Sequence, residues 1–221
     1  GNDSIRSTGF NVTINAGEGK DSIEIYGSNV LVQYVGGNDI ISGFRADSTL
    51  QIISGSLESV RFSEENILLA IGNNTVTLED FTDLASLNIF NDDGNAPDIK
   101  VIGTDGRDEI YNGRSNVTID AGAGNDEIGN SGENVSIISG DGRDTIYNYG
   151  ASATIDAGEG NDTVDNEGDN VTIDGGAGND AIVSNGFGMA YIYASGSDTI
   201  EHFRNGLDYL VIDGAYSITH D

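Results

Sequence analysis

The eighteen residues from Asp126 to Arg143, DEIGNSGENVSIISGDGR, run directly into a second aspartate, Asp144, where the same pattern begins again. Working outward, Asp108, Asp126, Asp144, Asp162, Asp180 and Asp198 keep this spacing, and Asp3, Asp21 and Asp39 keep it nearer the start. Aspartate fills 25 of 221 positions, so two such runs are a repeat and not chance. Two positions after each aspartate stands an aliphatic residue: Ile110, Ile128, Ile146, Val164, Ile182, Ile200. Nine positions after it come Val117, Val135, Ala153, Val171 and Met189; eleven after it come Ile119, Ile137, Ile155, Ile173 and Tyr191. Between the last two files lies a polar one, Thr118, Ser136, Thr154 and Thr172. Alternation of period two is strand patterning, so each period holds two short strands and two turns. Strands this short cannot bury a face alone, and the periods must stack, at ~4.8 Å per step, into a thin solenoid.

The two turns differ. One is Gly-x-Gly-x-Asp, with Gly122 and Gly124 before Asp126, Gly140 and Gly142 before Asp144, Gly158 and Gly160 before Asp162, and Gly176 and Gly178 before Asp180. The other carries Asn112, Asn130, Asn148 and Asn166 on one flank, with Asn116, Asn134 and Asn170 on the other. Recurring sequons at Asn11, Asn116, Asn134 and Asn170 follow the period and read as turn chemistry, not as glycosylation signals.

Nine basic against 37 acidic residues give a formal charge of −28, and glycine occurs 32 times. That excess opposes nucleic acid and anionic membranes, which reward Lys and Arg. With no cysteine there is no disulfide framework or thiolate zinc site. No apolar run approaches the ~20 residues of a membrane helix. Carboxylates stacked roughly 5 Å apart repel by about 3 kcal/mol per neighbouring pair at an effective dielectric constant near 20. A file of aspartates therefore calls for a counter-ion. A hard cation that takes carboxylate and carbonyl oxygens, calcium above magnesium, fits glycine-rich turns best. Transition metals would want imidazole or thiolate, and His202 and His220 both lie outside the repeated turns.

Gly175-Gly176-Ala177-Gly178-Asn179-Asp180-Ala181-Ile182-Val183 fits the nonapeptide G-G-x-G-x-D-x-U-x in full, and Ala121 to Gly129 fits it with Ala first. In these residues the chain resembles the RTX, or haemolysin-type, calcium-binding repeats. The resemblance implies a right-handed parallel β-roll, two nonapeptides to the turn, with calcium between stacked loops. It implies as ligands Asp108, Asp126, Asp144, Asp162 and Asp180, then Asp198, Asp3, Asp21 and Asp39, together with carbonyls of the turn glycines. It further implies an extracellular protein exported by type I secretion that folds on meeting calcium. Every second nonapeptide has lost its aspartate to the Val file. One edge is therefore expected to hold several calcium ions, and the other to use asparagine ladders without metal.

The fold class expected is all-β: two tandem rolls of 18-residue coils, each followed by a β capping segment. The first roll ends over 1–43. A cap and linker occupy 44–97, with strand-like runs at Leu50–Ile53, Val60–Phe62, Ile67–Ile71 and Thr75–Leu78 and room for a single helical turn between Leu78 and Leu87. The second roll covers 98–200, and a second cap begins over 201–221, because Leu210-Val211-Ile212 parallels Leu50-Gln51-Ile52 with one residue inserted. Pro97 marks the module boundary, Tyr191, Tyr193 and Phe203 close the core, and the chain reads as a monomeric piece of a longer tandem protein.

Catalysis finds no support in the motifs: there is no nucleophile elbow, and the carboxylate pairs recur identically in every coil. The expected function is a non-catalytic, calcium-dependent structural module of a secreted or cell-surface bacterial protein, such as an adhesin or repeat stalk. The alternative is the RTX tail of an extracellular enzyme or toxin. An ice- or glycan-binding Thr face, reading an unknown surface or glycan ligand of the parent protein, ranks below both.

Overall fold

A computed structural model of the chain describes residues 1–63, 65–82 and 84–212. The chain forms two compact units, Gly1–Ile102 and Gly103–Asp221, so the division falls a little beyond Pro97. Residues 213–221 of the expected second cap, His220 among them, lie outside the described residues. The architecture is all-β, a parallel solenoid of 18-residue coils, with no α-helix among the described residues. None of their helices is long and apolar enough to cross a membrane.

In the second unit, the strands that follow the aspartates form one parallel sheet: Glu109–Asn112, Glu127–Asn130, Thr145–Asn148, Thr163–Asn166, Ala181–Ser184 and Thr199–Glu201. Val117–Asp120, Ser136–Ile138, Thr154–Asp156, Thr172–Asp174, Ala190–Tyr193 and Tyr209–Ile212 form the other. Register follows the repeat without slip: Ile110 pairs with Ile128, Ile128 with Ile146 and Ile146 with Val164. On the other sheet Ile119, Ile137, Ile155, Ile173 and Tyr191 pair in turn. A one-residue slip would turn every aliphatic side chain to solvent, which is why the pattern fixes the register so firmly. The aliphatic files of these coils are buried from Ile110 to Ile182, and each isoleucine so enclosed contributes about 2 kcal/mol of burial. Tyr191 then pairs with Leu210, one residue beyond the period, where the insertion was read.

The first unit starts the same way. Ser4–Ser7, Ser22–Ile25 and Asp39–Ser42 stack in parallel, as do Thr13–Asn15, Leu31–Tyr34, Thr49–Ile52 and Asn88–Asn91. The four strand-like runs of the cap are strands. Their order is new information. Leu57–Ser63, Asn66–Ile71 and Asn74–Glu79 form an antiparallel meander, and its last strand pairs in parallel with Asp39–Ser42. Val76 thereby takes the place that the next aspartate of the file would hold. Leu84–Ser86 supplies the single helical turn, as 3₁₀, and Ile99–Ile102 pairs with Leu57–Ser63 inside this unit.

Candidate metal centre

Each repeat aspartate stands where its turn, Gly-x-Gly in the inner coils, runs into a strand. Its backbone N–H donates to Oδ1 of the next coil's aspartate, at 2.8 Å from Asp108 to Asp126, from Asp126 to Asp144 and from Asp144 to Asp162. The series ends with 2.9 Å from Asp162 to Asp180 and 3.1 Å from Asp180 to Asp198. In the first unit the steps from Asp3 to Asp21 and Asp21 to Asp39 are 2.7 and 3.0 Å. In every coil after the first of each file, half of the carboxylate is thus engaged by a peptide dipole. The bare repulsion expected from the sequence did not include this contribution.

The other half is not engaged. Oδ2 of Asp21, Asp126, Asp144, Asp162 and Asp180 is buried with no hydrogen-bond partner, in side chains at most 2% exposed. The first and last members of the two files differ. Asp3 is exposed, Asp108 and Asp198 are half-buried, and Asp39 is buried without an orphaned oxygen of this kind. An ionised carboxylate oxygen left dry and unpaired costs several kcal/mol. The acidities register this. Burial, with repulsion from Asp144 and Asp180, pushes Asp162 up to about 7 against the opposing Asp144 N–H. Burial likewise raises Asp126, Asp180, Asp198 and Asp39. Such a group is at ease only with a proton or a cation.

The predicted turn glycines, Gly122, Gly124, Gly140, Gly142, Gly158, Gly160, Gly176 and Gly178, all have positive φ. At Gly142, with φ 152°, a Cβ would overlap the carbonyl oxygen of Gly124 below it. Only glycine lets successive turns approach so closely. Among the described residues no three carboxylate or imidazole side chains converge on one point. An ion on this edge would therefore draw most of its oxygens from the backbone, with one buried carboxylate oxygen per inner coil. That donor set, all hard oxygen, fits calcium. His202 is exposed and forms no part of it.

The opposite edge has the same stacking and a different outcome. Asn130 Nδ2 donates to Asn148 Oδ1 at 2.7 Å and to the Gly132 carbonyl at 2.9 Å. Its own Oδ1 accepts from Asn112 Nδ2 at 2.8 Å and from the Gly132 N–H at 3.1 Å. Asn148 repeats this set, and the ladder closes where Asn166 donates to Ser184 Oγ at 3.0 Å. Asn11, Asn116, Asn134 and Asn170 sit at φ between 56 and 60°, the left-handed region that Asn tolerates, so turn geometry accounts for those sequons.

The family model for the RTX calcium-binding nonapeptide repeat (4 copies) matches residues 1–24, 102–134 and 156–187. Over those residues the chain carries RTX calcium-binding repeats. No curated protein matches it. RTX nonapeptide repeats bind calcium, and in this chain they build a parallel β-roll with one aspartate edge and one asparagine edge. Sequence reading missed a second polar file on the RTX turns. Asn125 Oδ1 accepts from the Arg143 N–H and Asn161 Oδ1 from the Asn179 N–H, both at 2.8 Å. Recurrence of Asn one place before the aspartate was the signal for it. Tyr193 was also misjudged as part of the core. It is half-buried, and its hydroxyl donates to the Gly196 carbonyl at 2.7 Å, whereas Tyr191 is fully enclosed against Phe203.

Proposed function

We propose that this chain is a calcium-gated, non-catalytic structural module of a larger secreted or cell-surface protein of the adhesin or repeat-stalk kind. Calcium would be held along the aspartate edge by Oδ2 of Asp21, Asp126, Asp144, Asp162 and Asp180 with carbonyls of the neighbouring turn glycines. The observation that carries this reading is the set of five buried carboxylate oxygens without partners. When bound, calcium supplies the positive charge that lets these oxygens remain ionised in a dry site.

The chain's own residues do the rest. The N–H of each aspartate holds the next carboxylate by Oδ1, leaving Oδ2 as the free ligand. Glycines bring successive turns close enough for their carbonyls to share an ion, and the aliphatic ladders set the spacing. Below the calcium level at which the sites fill, the aspartate edge opposes stacking. Above it, the same edge holds the coils together, so folding follows calcium. Extracellular calcium modules have dissociation constants of about 10⁻⁴–10⁻³ M, which would keep such a chain unfolded during export and fold it outside.

The test is far-UV circular dichroism of EDTA-stripped protein, titrated with calcium and separately with magnesium. Weak structure without metal and a cooperative gain of β signal at roughly 0.1–1 mM calcium is expected, with magnesium much less effective. A stripped chain already folded at neutral pH and indifferent to calcium would sink the reading. A catalytic domain in the parent protein would favour the enzyme or toxin tail over the stalk.

A further inference from the structure

The repeat breaks at three file ends, at Asp39, Asp108 and Asp198, and always at the same two places. Five residues before the aspartate, the inner coils carry only small side chains: Ala16, Ala121, Ser139, Ala157 and Gly175. In the last coil of each file that place is a tyrosine, Tyr34 before Asp39 and Tyr193 before Asp198. Four residues before the aspartate, the inner coils carry glycine: Gly17, Gly122, Gly140, Gly158 and Gly176. The coil that opens the second file has Thr104 there instead.

The last coils also lose that glycine, to Val35 and Ala194, and three of the departures, Tyr34, Tyr193 and Thr104, bring a hydroxyl to an oxygen of the aspartate turn. Tyr34 donates to the Gly37 carbonyl at 2.8 Å, and Tyr193 to the Gly196 carbonyl at 2.7 Å. Gly37 and Gly196 are the terminal members of the glycine stack, each lying on the carbonyl of the glycine one coil earlier, Gly19 and Gly178. Past Gly37 no further glycine turn of the file follows, and the Thr75 N–H of the meander donates to Asn38 Oδ1 at 2.8 Å. Beyond Gly37 is a cleft of ≈ 460 Å³ lined by Tyr34, Gly37, Gly55, Gly72 and Asn74 among others. At the other end, the Thr104 hydroxyl and N–H both donate to Asp108 Oδ2, at 2.9 and 2.8 Å. That is the oxygen left without a partner in every inner coil. The place five before the aspartate also flanks this oxygen, since a Cβ at Gly175 would lie 2.8 Å from Asp180 Oδ2. A ring there occupies the space beside the last carboxylate.

We propose that Thr104, Tyr34 and Tyr193 are built-in stops that bound the calcium file. Each satisfies with a hydroxyl an oxygen that an ion would otherwise take, so that Asp108, Asp39 and Asp198 close the ladder without metal. This rests on the calcium reading of the aspartate edge. Polar groups at the end of a stack have no next coil to pair with, and a hydroxyl carried by the same coil removes that deficit. The number of ions is thereby set by the sequence and not by the length of the roll.

Native mass spectrometry at saturating calcium counts the ions. Asp198→Asn, which keeps Oδ1 for the Asp180 N–H, should hold the wild-type number, whereas Asp162→Asn should lose at least one. Thr104→Gly, an exposed change that restores the nonapeptide, should gain one ion, and Tyr193→Ala should gain one at the far end. A lost ion in Asp198→Asn, or an unchanged count in Thr104→Gly and Tyr193→Ala, would overturn the stops while leaving calcium binding intact. A wild-type chain that binds no calcium would overturn the calcium reading itself and the stops with it. Should Tyr193→Ala fail to fold by circular dichroism, Thr104→Gly and Asp198→Asn still decide.

Discussion

The aspartate and asparagine edges of the second roll share an 18-residue register and near-complete burial of the stacked side chains, yet one is self-sufficient and the other is not. A primary amide brings two donors and two acceptor sites. Asn130 and Asn148 spend all of them on the coil before, the coil after and their own turn. A carboxylate brings only acceptors, and the backbone of the turn offers it one N–H. The replacement of one nitrogen by oxygen thus turns a closed ladder into one that needs a cation. On the calcium reading proposed above, a protein with asparagine on both edges would be folded wherever it was made, and one with aspartate on one edge would wait for calcium.

Exchanging the chemistry of the edges should have the largest effect. Asn148→Asp deprives the Gly150 carbonyl and Asn166 Oδ1 of their donor and buries a charge beside them. A loss of about 3–5 kcal/mol is expected in chemical denaturation at saturating calcium. Full rescue by calcium would show that the two edges do not differ in kind.

The reverse exchange, Asp162→Asn, should change sign with conditions. In EDTA at pH 8 it removes a carboxylate whose pKa is pushed up to about 7, and should stabilise the chain by up to about 4 kcal/mol. In calcium it removes a ligand and should destabilise. Denaturation midpoints of the same variant with and without calcium that move in the same direction would break the comparison.

Acidity should act on the aspartate edge alone. Asp162 has a folded pKa of about 7 against an ordinary value of 3.8, so between those values the folded state holds the extra proton. Stability of the metal-free chain must then fall as pH rises from about 4 to 7 and level off above that. The pKa values of Asp126 and Asp180, also raised by burial, add to the same trend. EDTA-stripped protein should gain β signal on moving from pH 8 to pH 5, and Asn148→Ala, though weaker throughout, should show the same slope. A flat profile would mean that the aspartates are not desolvated as described.

The smallest effect should come from the turn that flanks the asparagine ladder. Asn134, at φ 56°, should tolerate Gly and lose about 1 kcal/mol as Ala, in calcium or out of it, by thermal unfolding.

Most of the fold was legible because a period of two within a period of eighteen leaves one way to bury Ile128, Ile146 and Val164 together. The glycines at fixed offsets were legible for the same reason. What the letters could not give was direction. Whether a side chain meets the backbone of the coil before or after it depends on the path of the turn. The hydrogen bond from the Asp126 N–H to Asp144 was therefore hidden, and with it the division of each carboxylate into a held oxygen and a free one. The cap shows a related gap. Four strands could be read from their residues, but Asn74–Glu79 joining Asp39–Ser42 in parallel, after two antiparallel steps, depends on pairing between distant segments. Val76 filling an aspartate's place has no local signal. Tyr34 and Tyr193 did carry one, an aromatic residue breaking a file of Ala, Ser and Gly.

In the second roll the hydrogen bonds between coils, from Ile110 through to Ile200, run from each coil to the next along the stacking direction. Pulling on the two ends of such a stack sets its rungs in series, not side by side, so the weakest coil gives way before its neighbours share the load. Each coil that opens releases eighteen residues, about 60 Å of extended chain. Under tension the roll would lengthen in discrete steps of that size, each recoverable as long as the surrounding solution can refill the coil.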